Sequence, residues 1–156
     1  MAHDRILVLD DYLFKPRQEG QSRQSRYDQI LEWVPHTLIA NNIRFLTNEH
    51  EDRAERVRIR DLFNARALAI KQGVPRRSGE PRIEIKFTLQ KDFPYVHDRF
   101  AIIDDELWHF GATVGGLHHH VNAATRGWDA EVLGAVRFFN EAWKGDTDAQ
   151  RRGHRG

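Results

Sequence analysis

Residues 97–116, HDRFAIIDDELWHFGATVGG, constrain the fold more than any other stretch of the chain. Phe100-Ala101-Ile102-Ile103 is apolar throughout, too short for a helix and bounded by charge, which is the pattern of a buried strand. Asp104-Asp105 supplies a turn, and Leu107-Trp108-His109-Phe110 alternates as a second strand. Gly111 then opens a glycine-containing loop. The hairpin therefore holds one imidazole, one guanidinium and one carboxylate at fixed spacing: His97, Arg99 and Asp104.

The rest of the chain supplies strands and helices to go with it. Arg5-Ile6-Leu7-Val8-Leu9 is a continuous apolar strand running into Asp10-Asp11-Tyr12-Leu13-Phe14. Tyr27 to Ala40 reads as a helix with Ile30, Leu31, Val34 and Leu38 on one face, kinked or interrupted at Pro35, which lacks a backbone donor. Ile43 to Thr47 is a short strand. Asn48 is the expected N-cap of a helix reaching Gln72, with Ile59, Leu62, Phe63, Ala67 and Ile70 as its buried stripe. Ile83 to Phe87 alternates as a strand. Leu117 to Trp128 is expected to be a loop, followed by a helix carrying Val132, Val136, Phe139 and Trp143. Alternation of strands with helices argues for a three-layer α/β sandwich. Residues 1–144 then form one domain, and 145–156, ending QRRGHRG, read as a disordered basic tail.

Composition excludes several chemistries. The chain has no cysteine, so it has no disulfide, thiolate nucleophile or Cys-based zinc site, in keeping with a cytoplasmic location. No apolar run approaches the roughly 18 residues a membrane span needs, and the N-terminus lacks a signal-peptide pattern. Formal charge is +1, so any affinity for nucleic acid must come from where the basic residues sit. Lys15–Arg26 carries four basic residues and one acid after a strand end, where open α/β sheets tend to place ligands. Val74–Arg82 carries three arginines. Both loops read as solvated or as phosphate contacts, the latter through Arg17, Arg76 and Arg77. Arg53, Arg56, Arg58, Arg60 and Arg66 on the long helix read as an ion-paired face, with a binding role as the alternative.

The spacing His97, Arg99, Asp104, Gly111 resembles the H-x-K-x4-D-x6-G-[SG]-x-N (HKD) motif of the phospholipase D superfamily. Arg99 stands in the place of the motif lysine, Ala112 at the Ser/Gly position and Val114 at the Asn position. The chain is similar to small bacterial phospholipase D-like domains that read HDRF-x-I-I-D before a G-[AG]-[ST] turn. The resemblance implies an α/β/α sandwich with a mixed central sheet, and a phosphodiesterase chemistry that uses neither metal nor cofactor. It implies His97 as nucleophile (through a phosphohistidine) or acid, Arg99 as phosphate clamp and Asp104 as a structural or orienting carboxylate. Glu131, opening a segment similar to the family's Glu-to-Phe-x3-Trp stretch, is implied to orient His97. Gly111, Thr113 and Gly115 would meet the phosphate oxygens. With one motif per chain, a complete site implies a homodimer that brings two His97 side chains together.

The residue types suit that chemistry. Imidazole serves as nucleophile or proton donor because its pKa lies near neutrality. Arginine keeps the lysine's charge and adds a planar fork suited to phosphate, without reproducing a compact ammonium. Loss of the Ser and Asn positions removes donors worth roughly 3 kcal/mol each in a transition state. The expected function is therefore a phosphodiesterase, such as a nuclease, or a catalytically degenerate module that binds nucleic acid or protein on the same fold. A metal-dependent hydrolase using His118-His119-His120 is the third reading, although consecutive histidines converge poorly on one ion and no Cys or spaced carboxylate completes a zinc set.

Overall fold

β1 (Arg5–Leu9) occupies the middle of the sheet because every residue after Arg5 is apolar and is buried, as a strand covered on both faces requires. The computed structural model describes residues 2–16, 19–48, 50–74, 79–92, 98–110 and 124–145. Further strands are β2 (Asn42–Leu46), β3 (Arg82–Lys86), β4 (Phe100–Ile103), β5 (Glu106–Phe110) and β6 (Ala124–Asp129). Helices are α1 (Arg23–Leu31), α2 (Arg53–Gly73), a single turn α3 (Leu89–Asp92) and α4 (Ala135–Lys144).

The described strands form one mixed sheet in the order β3-β2-β1-β4-β5-β6. β1, β2 and β3 are parallel, whereas β4, β5 and β6 join by antiparallel pairing. Right-handed crossovers put successive helices on the same face when strands are added in one direction. Accordingly α1 and α2 lie together, their Tyr27, Ile30, Ile59, Phe63 and Ile70 packing on Ile6, Val8, Ile43, Phe45 and Ile85. The alternate side chains Leu7, Leu9, Leu46, Phe100, Ile102 and Leu107 face the other way, onto Val136, Phe139 and Ala142 of α4. The chain is thus an α/β domain with helices on both faces of its sheet. No described helix is long and apolar enough to cross a membrane.

Several boundaries differ from the sequence expectation. α1 starts at Arg23, where the Ser22 side chain accepts from the Ser25 amide at 3.0 Å, and it stops at Leu31 rather than Ala40. Proline at 35 disfavours a helical Val34, and Leu38 N instead donates to Pro35 O at 3.0 Å in a turn. Val34 and Leu38 are nevertheless buried, so the apolar period marks burial here without marking helix. Asp52, not Asn48, caps α2, accepting from the Ala54 amide at 2.8 Å. The expected loop 117–128 contains β6 at its end, an edge strand of mostly exposed polar residues that also holds Gly127 at φ 98°. α4 begins at Ala135 after Gly134 in the left-handed region, which leaves Val132 outside the helix and exposed. The expected tail from 146 onward lies outside the described residues.

Candidate functional site

β1, β2 and β3 end side by side, and the residues that follow them form one rim. Asp10-Asp11-Tyr12 leaves β1, Thr47-Asn48 leaves β2 and Phe87 leaves β3. Between them lies a crevice of about 370 Å³, lined in part by Asp11, Tyr12, Lys15, Arg23, Asn48 and His50. The carboxyl ends of parallel strands are the place where open α/β sheets bind ligands. Here the sheet also changes direction, because β1 has parallel β2 on one side and antiparallel β4 on the other.

That antiparallel pairing brings Arg99 to the rim. Phe100 lies opposite Leu9, so the residue before Phe100 meets the residues after Leu9. Arg99 Nε donates to Asp11 Oδ1 at 2.9 Å and stands 3.9 Å from Asp10 Oδ1. Both carboxylates are buried. The Arg99 guanidinium lies 5.6 Å from the centre of the Tyr12 ring, and Lys15 Nζ lies 4.7 Å from the same ring. Tyr12 therefore gathers two cations, an arrangement favoured by the negative face of an aromatic ring. Its amide donates to Asp10 Oδ1 at 2.8 Å, which fixes the turn that presents it. Asn48 contributes a buried Oδ1 with no donor among the described residues.

Asp104 and Glu131 are not at this rim, so neither stands beside Arg99, and of the two roles expected of Asp104 its contacts fit the structural one. Five steps along extended chain separate Arg99 from Asp104, roughly 17 Å at about 3.4 Å per step. Asp104 begins the β4–β5 turn in the left-handed region, at φ 55°. Its carboxylate accepts from the amides of His3, Asp4 and Arg5 at 2.7 to 3.2 Å. Burial alone would raise this carboxyl; the hydrogen bonds from Asp4, His3 and Arg5 outweigh it and hold the group below its ordinary value. Its role is to tie the N-terminal segment to the hairpin. Glu131 is exposed and pairs with Arg5 at 2.9 Å, beside the Arg5–Asp105 pair at 2.8 Å. Both carboxylates thus serve the end of the sheet opposite Arg99.

A larger hollow of about 960 Å³ lies at that opposite end, lined by Trp33, Trp108, Trp128 and Arg126 together with five carboxylates. Size does not make it an anion site. Five acids against one arginine repel an anion, and Asp104 and Asp129 already spend their oxygens on backbone amides.

His97 lies outside the described residues, as do Gly111, Thr113, Gly115, Arg17, Arg76, Arg77 and the histidines 118–120. Among the described residues no group of three His, Asp or Glu side chains is placed to hold a metal ion. The sequence reading singled out Arg99 but not Asp10, Asp11, Tyr12 or Asn48 as site residues. Two aspartates in succession after a buried strand were the available signal. No protein-family model matches this chain, and no curated protein matches it.

Proposed function

We propose that this chain is a phospholipase D-like domain that acts on or binds the phosphodiesters of nucleic acid at the Arg99 end of its sheet. The observation that carries this reading is the position of Arg99: a guanidinium at the carboxyl ends of parallel strands, over Tyr12, whose ring lines a crevice together with Lys15 and Arg23. Lys15 and Arg23 line the opening and Arg99 stands beside it, against the carboxylates of Asp11 and Glu51 in the same lining; guanidinium in particular matches the oxygens of phosphate. In the enzymatic form of the reading, His97 attacks phosphorus and a histidine of a second copy protonates the departing oxygen. Water then cleaves the phosphohistidine and restores the imidazole. Arg99 offsets charge on the non-bridging oxygens in both steps.

The Asp11–Arg99 pair favours the second reading, a binding module without turnover. An arginine already neutralised at 2.9 Å by a buried carboxylate offers less net charge to a developing phosphorane than an unpaired one. Both readings are tested with labelled single- and double-stranded DNA, in EDTA, using wild type, His97→Ala and Arg99→Ala. Cleavage that survives EDTA and disappears in His97→Ala supports the enzyme. Salt-sensitive binding without cleavage, weakened in Arg99→Ala, supports the module. Absence of both cleavage and binding by the wild type overturns the proposal.

A further inference from the structure

The arginines of α2 do not form the uniformly ion-paired face that their alternation with acids suggests. Arg58 does pair, with Glu55 at 3.4 Å and with the Gln24 side chain, and Arg66 donates to Val34 O at 3.2 Å. Arg53 and Arg60 have no carboxylate partner among the described residues. With Arg56 and Val57 they line a hollow of about 390 Å³ on one side of the helix. Positions i, i+3 and i+7 share a helical face, and Arg53 to Arg60 spans roughly 10 Å at about 1.5 Å per residue.

One contact connects this hollow to the crevice: Arg60 lies 5.4 Å from the centre of the Phe87 ring, and Phe87 lines the crevice. The acids of the first turn of α2 are engaged elsewhere. Glu55 accepts from the Tyr27 hydroxyl at 2.7 Å, and Asp52 caps the helix and stands 3.9 Å from Arg23. Asp61 projects about 100° around the helix from Arg60.

We propose that Arg53 and Arg60 form a second phosphate station, over which the backbone of a polynucleotide runs after leaving the crevice. This inference rests on the proposed function, since it is the same polymer that occupies both places. Its ligand is the sugar–phosphate backbone, read by charge and not by base edges, so binding there is independent of sequence. A span of this length suits about two phosphates of an extended strand.

The test is the salt dependence of binding by a fluorescein-labelled oligonucleotide of about twelve residues, compared with a labelled dinucleotide. Wild type, Arg53→Gln/Arg60→Gln, Arg53→Lys/Arg60→Lys and Arg58→Gln are measured, each checked for an unchanged circular dichroism spectrum. In the Gln double variant the slope of log K against log salt falls by about 1.4, and the longer oligonucleotide binds about ten-fold more weakly at low salt. Dinucleotide binding stays unchanged, the Lys double variant restores the slope, and Arg58→Gln behaves as wild type. An unchanged slope in the Gln double variant, beside weakened binding in Arg99→Ala, overturns the second station and leaves the proposed function standing. A wild type that binds neither oligonucleotide nor dinucleotide overturns both.

Discussion

Asp11 and Arg99, 88 positions apart in the chain, meet with Oδ1 2.9 Å from Nε because β4 sets Phe100 opposite Leu9. Under the proposed function the pair competes with phosphate: any anion that Arg99 holds must share it with a carboxylate. Asp11→Asn keeps the shape and removes the charge. We expect it to tighten oligonucleotide binding about three- to ten-fold at low salt, and to cost about 1–3 kcal/mol of stability because a buried charged hydrogen bond weakens. Fluorescence anisotropy and urea unfolding check the two effects separately. Equal or weaker binding by Asp11→Asn would mean that Asp11 does not restrain Arg99 against phosphate.

At the other end of β4, Asp104 predicts an acid-side effect. A carboxyl held below its ordinary value adds stability that is complete above that value, 3.8, and is lost as pH falls through the lower folded value. Asp104→Asn loses the charge but tolerates the left-handed backbone, so it should cost about 1.5–3 kcal/mol at neutral pH. The gap between wild type and variant should close in strong acid. Asp104→Ala should cost about 1–2 kcal/mol more, from the positive φ. Unfolding midpoints measured down the acid range decide it, and a gap that persists in strong acid contradicts the assigned hydrogen bonding.

β1 and the β4–β5 hairpin are legible in the sequence for a physical reason. Their residues are buried on both faces or alternate strictly, so few other structures would accommodate them. β6 is not legible, because an exposed edge strand holding a glycine carries neither signal. The end of α1 is misread because Val34 and Leu38 keep the helical period while packing from turns. At the site, linear spacing marks Arg99 but groups it with Asp104, which a strand's length carries away. Its actual partners, Asp10 and Asp11, emerge only once β1 and β4 pair, and no local pattern records that pairing.

Tyr27 links the two helices of one face through its hydroxyl, which donates to Glu55 Oε2 at 2.7 Å. Burial first, and the bond to Glu55 second, push the phenol above its ordinary value of 10.0. The same bond, with Arg58 contributing, holds the Glu55 carboxyl below its ordinary value against the opposing effect of burial. For a group with a raised folded pKa, the stabilisation is whole below the unfolded value and disappears as pH climbs through the folded one. Tyr27→Phe should therefore cost about 1.5–3 kcal/mol near neutrality, and progressively less above pH 10.0. Urea titrations at neutral and at strongly alkaline pH give the comparison; a cost that does not change with pH would rule out the hydrogen bond from the Tyr27 hydroxyl to Glu55.

Arg26 connects core packing to the crevice. It is fully buried, donates from Nε to Leu13 O at 2.9 Å and from Nη1 to Gln29 at 2.7 Å, and lies 5.8 Å from the Trp33 ring. Leu13 belongs to the loop that presents Asp11, Tyr12 and Lys15, and a turn closes that loop from Lys15 N to Tyr12 O at 3.1 Å. Its Nε and Nη1 donors meet carbonyl oxygens, which offsets part of the cost of burying the cation. Arg26→Ala removes both the bond and the volume and should cost about 3–5 kcal/mol. Arg26→Met retains most of the volume, so it isolates the tether. We expect a smaller loss of stability, faster hydrogen exchange at the Lys15 amide, and several-fold weaker oligonucleotide binding as Tyr12 and Lys15 lose their fixed position. Unchanged exchange at Lys15 in a folded Arg26→Met protein would show that the aromatic packing of Phe14 against Tyr27, Phe63 and Phe87 is enough to hold the loop without the arginine.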